Sequence, residues 1–394
     1  MTDLRVVTTD GGDTILESAV VRKFADGLRG GLLGPDDGGY DEARKVWNGM
    51  IDRRPALIAR CAGVADVIVA VRFARTHELL VSVRGGGHNI TGNAVCEGGL
   101  MIDLSPMKSV RVDPVKRTAR AEAGLTWGEY NRETQAFGLA STGGVVSTTG
   151  IAGLTLGGGL GWLGGKHGLS CDNLLSADIV TADGEFLTAS ADQHPELFWG
   201  LRGGGGNFGV VVEFEFRLHA IGTRTLVAEE SFPLDRAAGA LRGWRDLADD
   251  APRQATLTAE IPGDSVALGY VWVGDPEAGR ALLPALRSIG VPDREDVAEM
   301  SYLALQTSDD SIEGHSYRRY WKGHYLPELS DGAIAALLDR DPADATLPNV
   351  SDRAAVGLQA HAGRHRVSGV AVQQGSDGGV GQRREVVPLP VTPE

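Results

Sequence analysis

Two glycine-rich stretches carry the residue types in this sequence that could bind or transform a ligand. The first, VRGGGHNITGN at residues 83–93, runs three glycines into a histidine. Glycine lets the backbone approach a ligand closely, so this stretch could wrap a phosphate group with its own N–H groups. His88 could be a catalyst, a ligand, a covalent anchor or an ordinary loop residue, and the stretch could equally be a plain surface loop.

A dinucleotide-binding loop of the Rossmann type is an alternative for this stretch. That motif requires a helix directly after the glycines, with its N-terminal N–H groups on the pyrophosphate. Residues 89–99 would form a poor helix because they contain three glycines and three β-branched residues. The sequence therefore disfavours an NAD-dependent dehydrogenase and favours a phosphate cradle without a helix.

The second stretch, STGGVVSTTGIAGLTLGGGLGWLGGKHGLSCDN at residues 141–173, mixes flexible backbone with small hydroxyl side chains. A loop of this length inside a domain is uncommon unless it has a function. A third stretch, RGGGGNFG at residues 202–209, is equally typical of a turn before a strand. Glycine clusters separated by well-patterned segments indicate loops that converge on one extended ligand.

The segments around these stretches follow the patterns of strands and helices. Residues 55–61 and 79–84 are typical of buried strands and residues 63–78 of a helix, which together form a βαβ unit. The first glycine stretch follows the second strand, at the carboxyl end where α/β proteins bind ligands. Two hairpins and a helix capped by Thr126 are predicted downstream, at 109–124, 174–190 and 126–138.

Composition argues against several classes of function. The formal net charge of −14 disfavours binding to nucleic acids and to anionic membranes, and no apolar run is long enough to cross a membrane. Cys61, Cys96 and Cys171 are widely spaced, which argues against a disulfide framework or a structural metal site. The N-terminus shows no secretory signal, so we expect a cytoplasmic protein. No feature indicates an oligomeric state.

The glycine-rich pattern ends near residue 220, which predicts a domain boundary. We expect a cofactor-binding domain at 1–220, a separate α+β domain at 221–345 and a tail at 346–394. The tail has no aromatic residue and weak periodicity. We therefore expect it to be disordered, or to come from a truncated or shifted reading frame.

Taken in order, VSVRGGGHN, GGVVSTTGIAGLTLGGGLGWLGGKHGLSCDNLLSADIVTADGE and ELFWGLRGGGGNFGVV resemble the FAD-binding oxidoreductases of the vanillyl-alcohol oxidase and p-cresol methylhydroxylase (PCMH-type) superfamily. The resemblance is greatest to its berberine-bridge-enzyme-like and 6-hydroxynicotine-oxidase-like branch. It covers residues 40–220 well and 221–330 loosely. It implies an α+β fold, in which a two-subdomain FAD-binding domain is followed by a substrate domain whose antiparallel sheet covers the isoalloxazine.

The resemblance also implies which residues bind FAD. His88 matches the family histidine that is bonded to the 8α carbon of the flavin, and residues 84–89 would wrap the pyrophosphate. The full set of implied FAD-binding residues is Arg84, Gly85, Gly86, Gly87, His88, Asn89, Gly92, Gly144, Val145, Ser147, Thr148, Gly150, Gly153, Gly157, Gly158, Gly159, Gly161, Trp162, His167, Gly168, Asp172, Asn173, Ile179 and Val180.

The number of covalent bonds to the flavin also follows from the resemblance. In relatives with two such bonds, a cysteine in a pattern like G-V-C-P-T-V-G is bonded to the flavin C6. The matching residues here run from Gly144 to Gly150, and Val146 stands where the cysteine would be. The resemblance therefore implies a single covalent bond, through His88.

Hydride transfer from a substrate C–H bond to flavin N5 is the reaction that the resemblance implies, with a base removing a proton and oxygen as electron acceptor. The substrate would be a small alcohol, amine or sugar hydroxyl. Tyr317, Tyr320 and Tyr270 are candidate bases, and an aromatic core is an equally good interpretation of each. The family's closing tyrosine and asparagine motifs are absent after residue 345, so the alternative is a flavin-binding relic without turnover.

Overall fold

The computed structural model describes residues 3–261, 264–308, 310, 318–326, 328–339, 346–351 and 368–375. Its helices and strands fall into a first part, up to about residue 221, and a second part after it. Each part has its own sheets and its own buried core, and a smaller buried cluster joins them. The architecture is α+β, as the sequence predicts.

The first part is built from short strands linked by helices. Its strands are β1 (Leu4–Val7), β2 (Asp13–Leu16), β3 (Gly31–Leu33), β4 (Leu57–Arg60), β5 (Val81–Arg84), β6 (Leu100–Asp103), β7 (Val110–Asp113), β8 (Thr118–Glu122), β9 (Leu139–Ala140), β10 (Leu174–Val180), β11 (Phe186–Ser190), β12 (Val210–Arg217) and β13 (His219–Ala220). Its helices are α1 (Ser18–Asp26), α2 (Tyr40–Ala43), α3 (Val64–Thr76), α4 (Trp127–Gln135), α5 (Ile151–Leu156), α6 (Gly164–His167) and α7 (Pro195–Leu201), with a 3-10 turn at Ser170–Asn173.

A four-stranded sheet in the order β3-β4-β6-β5 carries the first glycine stretch at its edge. β4 and β5 both run parallel to β6, which lies between them, so the predicted βαβ unit skips one strand position. The sequence pattern predicts the unit but not the insertion of β6, because the order of strands depends on tertiary packing. Arg84 ends β5, and the three glycines follow at the carboxyl end of the parallel strands.

A five-stranded sheet in the order β11-β10-β12-β8-β7 shares the core of the first part. Both predicted hairpins are confirmed, as β7 pairs with β8 and β10 with β11. Thr126 caps α4 as predicted, because its side chain accepts from the Glu129 N–H while the Glu129 carboxylate accepts from the Thr126 N–H. This cap fixes the start of α4 beside the second glycine stretch.

The second part is a seven-stranded antiparallel sheet with helices packed on one face. Its strands are β14 (Arg224–Pro233), β15 (Ala255–Glu260), β16 (Ser265–Val273), β17 (Arg294–Ser301), β18 (Arg319–Leu326), β19 (Thr346–Ser351) and β20 (Ser368–Gly375), in the spatial order β17-β14-β16-β15-β19-β20-β18. Its helices are α8 (Leu234–Asp250), α9 (Pro276–Arg280), α10 (Leu283–Arg287), α11 (Tyr302–Leu305) and α12 (Asp331–Leu338). Leu226, Leu257 and Leu268 belong to the core on the helix-covered face.

The other face of this sheet turns toward the first part. Val271 of β16 is buried in one cluster with Leu163 and Ile221 of the first part. Side chains alternate between the two faces of a strand, so Ala267 and Gly269 lie on the same face as Val271. A ligand bound between the two parts would therefore contact this face.

The strands β19 and β20 differ from what we expect of the predicted tail. They complete the sheet, since β19 pairs with β15 and with β20, and β20 pairs with β18. The boundary expected at residue 345 therefore falls inside the sheet. We expected a tail because this segment lacks aromatic residues. Strand pairing uses backbone N–H and C=O groups, which are present whatever the side chains are. Residues 376–394 lie outside the described part of the chain.

Within the described ranges, no helix combines the length and the apolar character needed to cross a bilayer. The same residues contain no group of three or more His, Cys, Asp or Glu side chains placed to hold a metal ion.

Candidate functional site

The first two glycine stretches meet backbone to backbone. A Cβ atom on Gly86 would lie 2.3 Å from the Gly150 nitrogen, and one on Gly150 would lie 2.4 Å from the Gly86 nitrogen. Gly87, next in the loop, has a φ of +72°, in the left-handed region that favours glycine. The contact requires glycine at both 86 and 150, and it joins the two loops into one continuous backbone surface.

His88 lies at the rim of this contact with a hydroxyl partner at each ring nitrogen. Its Nε2 atom lies 2.9 Å from Oγ1 of Thr148, and its Nδ1 atom lies 3.3 Å from Oγ1 of Thr149. The Trp47 indole stacks on the imidazole, with the ring centroids 4.7 Å apart and the planes inclined by 16°. The backbone N–H of Trp47 also donates to the Gly87 carbonyl at 3.0 Å. These contacts fix the orientation of the imidazole.

The turn at residues 146–149, which carries both threonines, is bound to the start of α4. The backbone N–H of Trp127 donates to the Thr149 carbonyl at 2.9 Å, and the backbone N–H of Gly128 donates to the Ser147 carbonyl at 2.8 Å. The turn closes on itself through the Thr149 N–H, which donates to the Val146 carbonyl at 3.2 Å. Helix α4 therefore supports the hydroxyl groups that contact the histidine.

A carboxylate from the second part of the chain binds the same turn. Asp310 accepts from the Ser147 N–H at 2.8 Å and from the Ser147 hydroxyl at 2.5 Å. The turn thus presents its donors to a negatively charged oxygen. Sequence reasoning missed both Asp310 and Trp47, because no glycine motif surrounds either of them.

Helix α5, directly after the turn, exposes a surface without side chains. Gly153 and Gly157 lie one helical turn apart and are both exposed, and a Cβ on Gly153 would meet no atom within 4 Å. Leu160, just beyond the helix, is 40% exposed. A surface of this kind lets a planar ring approach the backbone closely.

The remaining predicted residues of the first stretch support the loop. The Arg84 guanidinium donates to the Ala43 carbonyl, while its Nε atom is buried without a partner. A Cβ on Gly85 would lie 3.2 Å from the backbone oxygen of Ala123, which follows β8. The Asn89 carbonyl accepts from the Gly92 N–H at 3.0 Å, and Gly92 has a φ of +78°. These residues hold the chain on both sides of His88.

Close packing explains several other glycines of the second stretch. A Cβ on Gly161 would lie 1.7 Å from the Gly143 carbonyl oxygen, and one on Gly159 would lie 2.3 Å from the Ser170 hydroxyl oxygen. Gly158 has a φ of +108°. Gly144 and Val145, which precede the turn, are buried and half-buried. The glycines at 159 and 161 therefore shape the loop by allowing its segments to touch.

Asp172 and Asn173 fix the end of the second stretch. The Asp172 carboxylate accepts from the Leu169 N–H at 2.9 Å, and a Cβ on Gly168 would lie 2.7 Å from it. The buried Asn173 amide donates to the carbonyls of His167 and Leu169, at 3.0 and 2.8 Å. Asp172 is thus engaged within the loop itself, while the Asn173 side-chain oxygen also lies 2.6 Å from Nε2 of His219 in β13.

Ile179 and Val180 lie in the five-stranded sheet of the first part, and the third glycine stretch follows α7. Both residues are fully buried in β10, between β11 and β12. In the third stretch, the N–H groups of Gly203 and Gly205 donate to the Leu156 carbonyl at 3.1 and 2.8 Å. The third stretch therefore caps the end of α5, which fits its interpretation as a turn.

Trp162 and His167 line a cavity of about 250 Å³ between the two parts, together with Lys166 and Gln254. His167 stacks on His219, with the ring centroids 3.7 Å apart. Burial, helped by His219 and Lys166, lowers the pKa of His167 to about 4. The His167 ring is therefore neutral near pH 7 and lends no positive charge to the cavity.

The sheet face that turns toward the first part carries small residues flanked by carboxylates. Gly269 of β16 is paired with Thr258 of β15 and Glu229 of β14, so these three residues form one row. In the neighbouring row, Ala267 is paired with Glu260. Burial raises the pKa of Glu229. We call these five residues the acidic recess. These residues occupy alternate positions along β14, β15 and β16, and this alternation is the sequence signal that would have grouped them on one face.

The three candidate tyrosines fall in different places. Tyr270 is fully buried on the helix-covered face of the sheet, and its hydroxyl donates to the Gly279 carbonyl at 2.9 Å. Burial raises the pKa of Tyr270 to about 12. This placement argues against the sequence-based hypothesis that Tyr270 is the base. Tyr320 lies in β18, and Tyr317 lies outside the described residues.

The joined loops fit a flavin dinucleotide. Glycine backbone suits a pyrophosphate, the bare face of α5 suits a planar ring, and the turn already binds an anionic oxygen. The three cysteines are all buried, and burial raises the pKa of Cys61 to about 12 and of Cys171 to about 11. His88 brings an imidazole to the joined loops, where the hydroxyls of Thr148 and Thr149 contact its two ring nitrogens.

Comparison with known proteins identifies the family. A model of the FAD binding domain matches residues 55–190. The chain is 43% identical over 298 residues to (R)-6-hydroxynicotine oxidase of Paenarthrobacter nicotinovorans, which is 73% of this chain and 65% of that protein. It is 31% identical over 328 residues to a FAD-linked oxidoreductase of Dictyostelium discoideum, covering 81% of this chain and 71% of that one.

Solved structures agree with this assignment. The crystal structure of 6-hydroxy-D-nicotine oxidase from Arthrobacter nicotinovorans superposes with a TM-score of 0.80 at 31% identity, over 90% of this chain and 82% of that chain. BBE-like 1 of Physcomitrella patens superposes with a TM-score of 0.83 at 21% identity, over 91% and 84% of the two chains, which shows a shared fold. This chain thus belongs to the FAD-linked oxidoreductases, is similar to 6-hydroxynicotine oxidase and shares the fold of a BBE-like protein.

Proposed function

We propose that this protein oxidises a small amine or alcohol with FAD held between the two joined glycine loops and the bare face of α5. The observation that carries the proposal is the contact of Gly86 with Gly150, which places His88 beside a backbone surface suited to a dinucleotide. Bound flavin supplies the acceptor for a hydride from the substrate. The protein supplies binding, orientation and proton transfer.

His88 is the proposed covalent attachment point: a ring nitrogen would bond to the 8α carbon of the flavin as that carbon loses a C–H bond, with the two electrons and two protons released passing to the flavin and from it to oxygen. Thr148 and Thr149 hold its two ring nitrogens, and Trp47 covers one face of the ring, so the imidazole needs little rearrangement to react. Val146 has no nucleophilic atom, so the position that matches the cysteine of relatives with two covalent bonds offers no second attachment point. A tether at His88 keeps the cofactor in place through repeated turnover.

The acidic recess is the proposed substrate-binding surface. Gly269 and Ala267 carry little or no side chain on this face, and the carboxylates of Glu229 and Glu260 lie beside them in the neighbouring strands. This arrangement favours a cationic amine over a neutral sugar. The 43% identity to an oxidase of 6-hydroxynicotine, a cyclic amine, points to the same class, whereas the sugar oxidases match at only 20–22% identity.

Proton removal from the substrate remains assigned to a tyrosine of the second part. Tyr320 is the candidate we retain, because β18 belongs to the sheet that turns toward the first part. Tyr317 is a candidate from its sequence neighbourhood alone. Oxygen is the proposed acceptor for the electrons, as the relatives named oxidases suggest.

An anaerobic substrate screen tests this function. The purified protein should be yellow, and a cyclic or secondary amine should bleach its flavin band faster than an alcohol or a sugar of similar size. Readmitted air should restore the band. A yellow protein that no amine, alcohol or sugar bleaches would instead support a flavin-binding relic without turnover. A colourless protein that takes up no added FAD would contradict flavin binding altogether.

A further inference from the structure

We infer that Asp310 is a positioning residue for the flavin site, acting through the turn at residues 146–149. This inference rests on the proposed attachment of flavin at His88. It assigns a role in the cofactor site to a carboxylate that belongs to the second part of the chain.

The contact of Asp310 with Ser147 uses both carboxylate oxygens. Oδ1 accepts from the Ser147 N–H at 2.8 Å, and Oδ2 accepts from the Ser147 hydroxyl at 2.5 Å. Both residues are partly buried, which weakens competition from water. Hydrogen bonds to an ionised acceptor are stronger than neutral ones, and two from one residue also fix its orientation.

Asp310 itself is held in place by the interface of the two parts. It follows α11, whose Tyr302 and Leu305 are buried in the shared cluster. The Asp310 N–H donates to the Thr307 carbonyl at 3.2 Å, which continues the winding of the chain from α11. The carboxylate therefore reaches the turn from a supported position, in addition to the two hydrogen bonds that come from α4.

The turn transmits this contact to His88. Thr148 and Thr149 come directly after Ser147, and their hydroxyls contact the two ring nitrogens of the imidazole. A shift of Ser147 would move both hydroxyls, because the turn is only four residues long and closed by its own hydrogen bond. Asp310 thus sets where the hydroxyls meet the ring.

The sequence of the turn makes this contact specific to chains like this one. The pattern of relatives with two covalent bonds has cysteine and proline where this chain has Val146 and Ser147. Proline has no N–H and no hydroxyl, so it could form neither of the bonds to Asp310. In this chain a carboxylate holds the turn at the place where those relatives have a covalent bond to the flavin.

Flavin attachment kinetics test the role of Asp310. Full-length protein prepared free of flavin from riboflavin-limited cells is incubated with FAD, and acid-stable flavin is followed with time. Asp310→Asn and Ser147→Ala should each slow attachment about tenfold, the effect of losing roughly one charge-assisted hydrogen bond. Ser147→Thr keeps both donors and should attach flavin at close to the normal rate. Asp250→Asn, the same change at the exposed end of α8, is the control.

Two results distinguish positioning from a merely structural role. Before acid treatment, Asp310→Asn and Ser147→Ala should each still bind about one flavin per chain. The variant that combines the two substitutions should attach flavin no more slowly than Asp310→Asn alone. The inference would be overturned if Asp310→Asn attached flavin at the wild-type rate. It would also be overturned if the rate reductions of the two single variants multiplied in the combined variant. If acid releases all flavin from the wild-type protein, the attachment at His88 fails. The inference then depends on the dissociation rate of FAD, and an unchanged rate in Asp310→Asn would overturn it.

Discussion

The backbones of Gly86 and Gly150 touch, so a Cβ atom on either residue would lie within 2.4 Å of the nitrogen of the other. This contact joins the loop that carries His88 to the turn that carries Thr148 and Thr149. The cradle for the cofactor therefore depends on two glycines that lie far apart in the sequence, and either one can be changed alone.

Alanine at either position should separate the loops. The atoms that the added Cβ would meet belong to the backbone and not to a flexible side chain, so the backbone must move. Overpacking of this kind lowers the free energy of unfolding by about 1–3 kcal/mol. We expect Gly86→Ala and Gly150→Ala each to lower the flavin content of the purified protein about tenfold or more, measured from the ratio of visible to ultraviolet absorbance. Gly239→Ala, at an exposed helical position with no atom within 4 Å of the added Cβ, should retain normal flavin content.

Trp47 should affect flavin attachment more than flavin binding. Its indole stacks on His88 at 4.7 Å, and aromatic pairs contribute about 0.5–1.5 kcal/mol beyond the area they bury. We expect Trp47→Ala to lower the rate of acid-stable flavin formation about threefold to tenfold, and Trp47→Phe to restore most of it. Trp199→Ala removes an indole that is 74% exposed and should have no effect. Equal rates for Trp47→Ala and the wild type would contradict the orienting role of the stack.

Glu230 should make the second part less stable as pH rises. Its carboxylate is fully buried in β14, and neither oxygen has a hydrogen-bond partner. Burial, with Glu295 adding negative charge and Arg287 partly opposing it, raises its pKa from 4.5 to about 7. Between these two values the folded chain holds a proton that the unfolded chain has lost, so stability falls through this window and levels off above it.

Glutamine at position 230 removes this dependence. We expect Glu230→Gln to match the wild type near pH 4.5 and to be more stable by on the order of 2–3 kcal/mol at about pH 8, measured by urea unfolding. Glu133→Gln, at an exposed position on α4, is the matched control and should give no such difference. A stability gain for Glu230→Gln that does not change with pH would show that the carboxyl is not protonated in the folded protein.

Tyrosine variants separate the candidate bases. Tyr270→Phe removes a hydroxyl that donates to Gly279 inside the helix-covered core, and should cost about 1 kcal/mol of stability without slowing flavin reduction. Tyr320→Phe should slow flavin reduction by the best amine about a hundredfold, as expected for loss of a general base. Rapid anaerobic mixing measures both rates. Slow reduction in Tyr270→Phe with unchanged Tyr320→Phe would return the role to Tyr270.

The sequence predicted the parts of the site whose chemistry is local. A run of three glycines before His88 favours close backbone contact, and Thr126 before an amphipathic segment favours a helix cap, whatever the surrounding fold. Both hairpins were predictable for the same reason, because turn residues act over a few positions. The fold class came from the resemblance of the three glycine-rich stretches to a known family.

Contacts between distant segments were not predictable in this way. Trp47 reaches His88, and Asp310 reaches Ser147, only because the fold brings their segments together. Tyr270 looked like a site residue because it alternates along a strand, but alternation leaves open which face is the ligand side. The strands β19 and β20 were missed because pairing in a sheet does not require the aromatic residues that the sequence lacks there.

The most direct test of the account is the mass of the peptide that carries His88. Protein denatured in acid and digested should yield a peptide spanning residues 85–92 that is heavier by one FAD less two hydrogens, with fragment ions that place the added mass on His88. The His88→Ala variant should bind flavin and release all of it in acid. An unmodified His88 peptide from yellow wild-type protein, or acid-stable flavin in His88→Ala, would contradict the attachment proposed here.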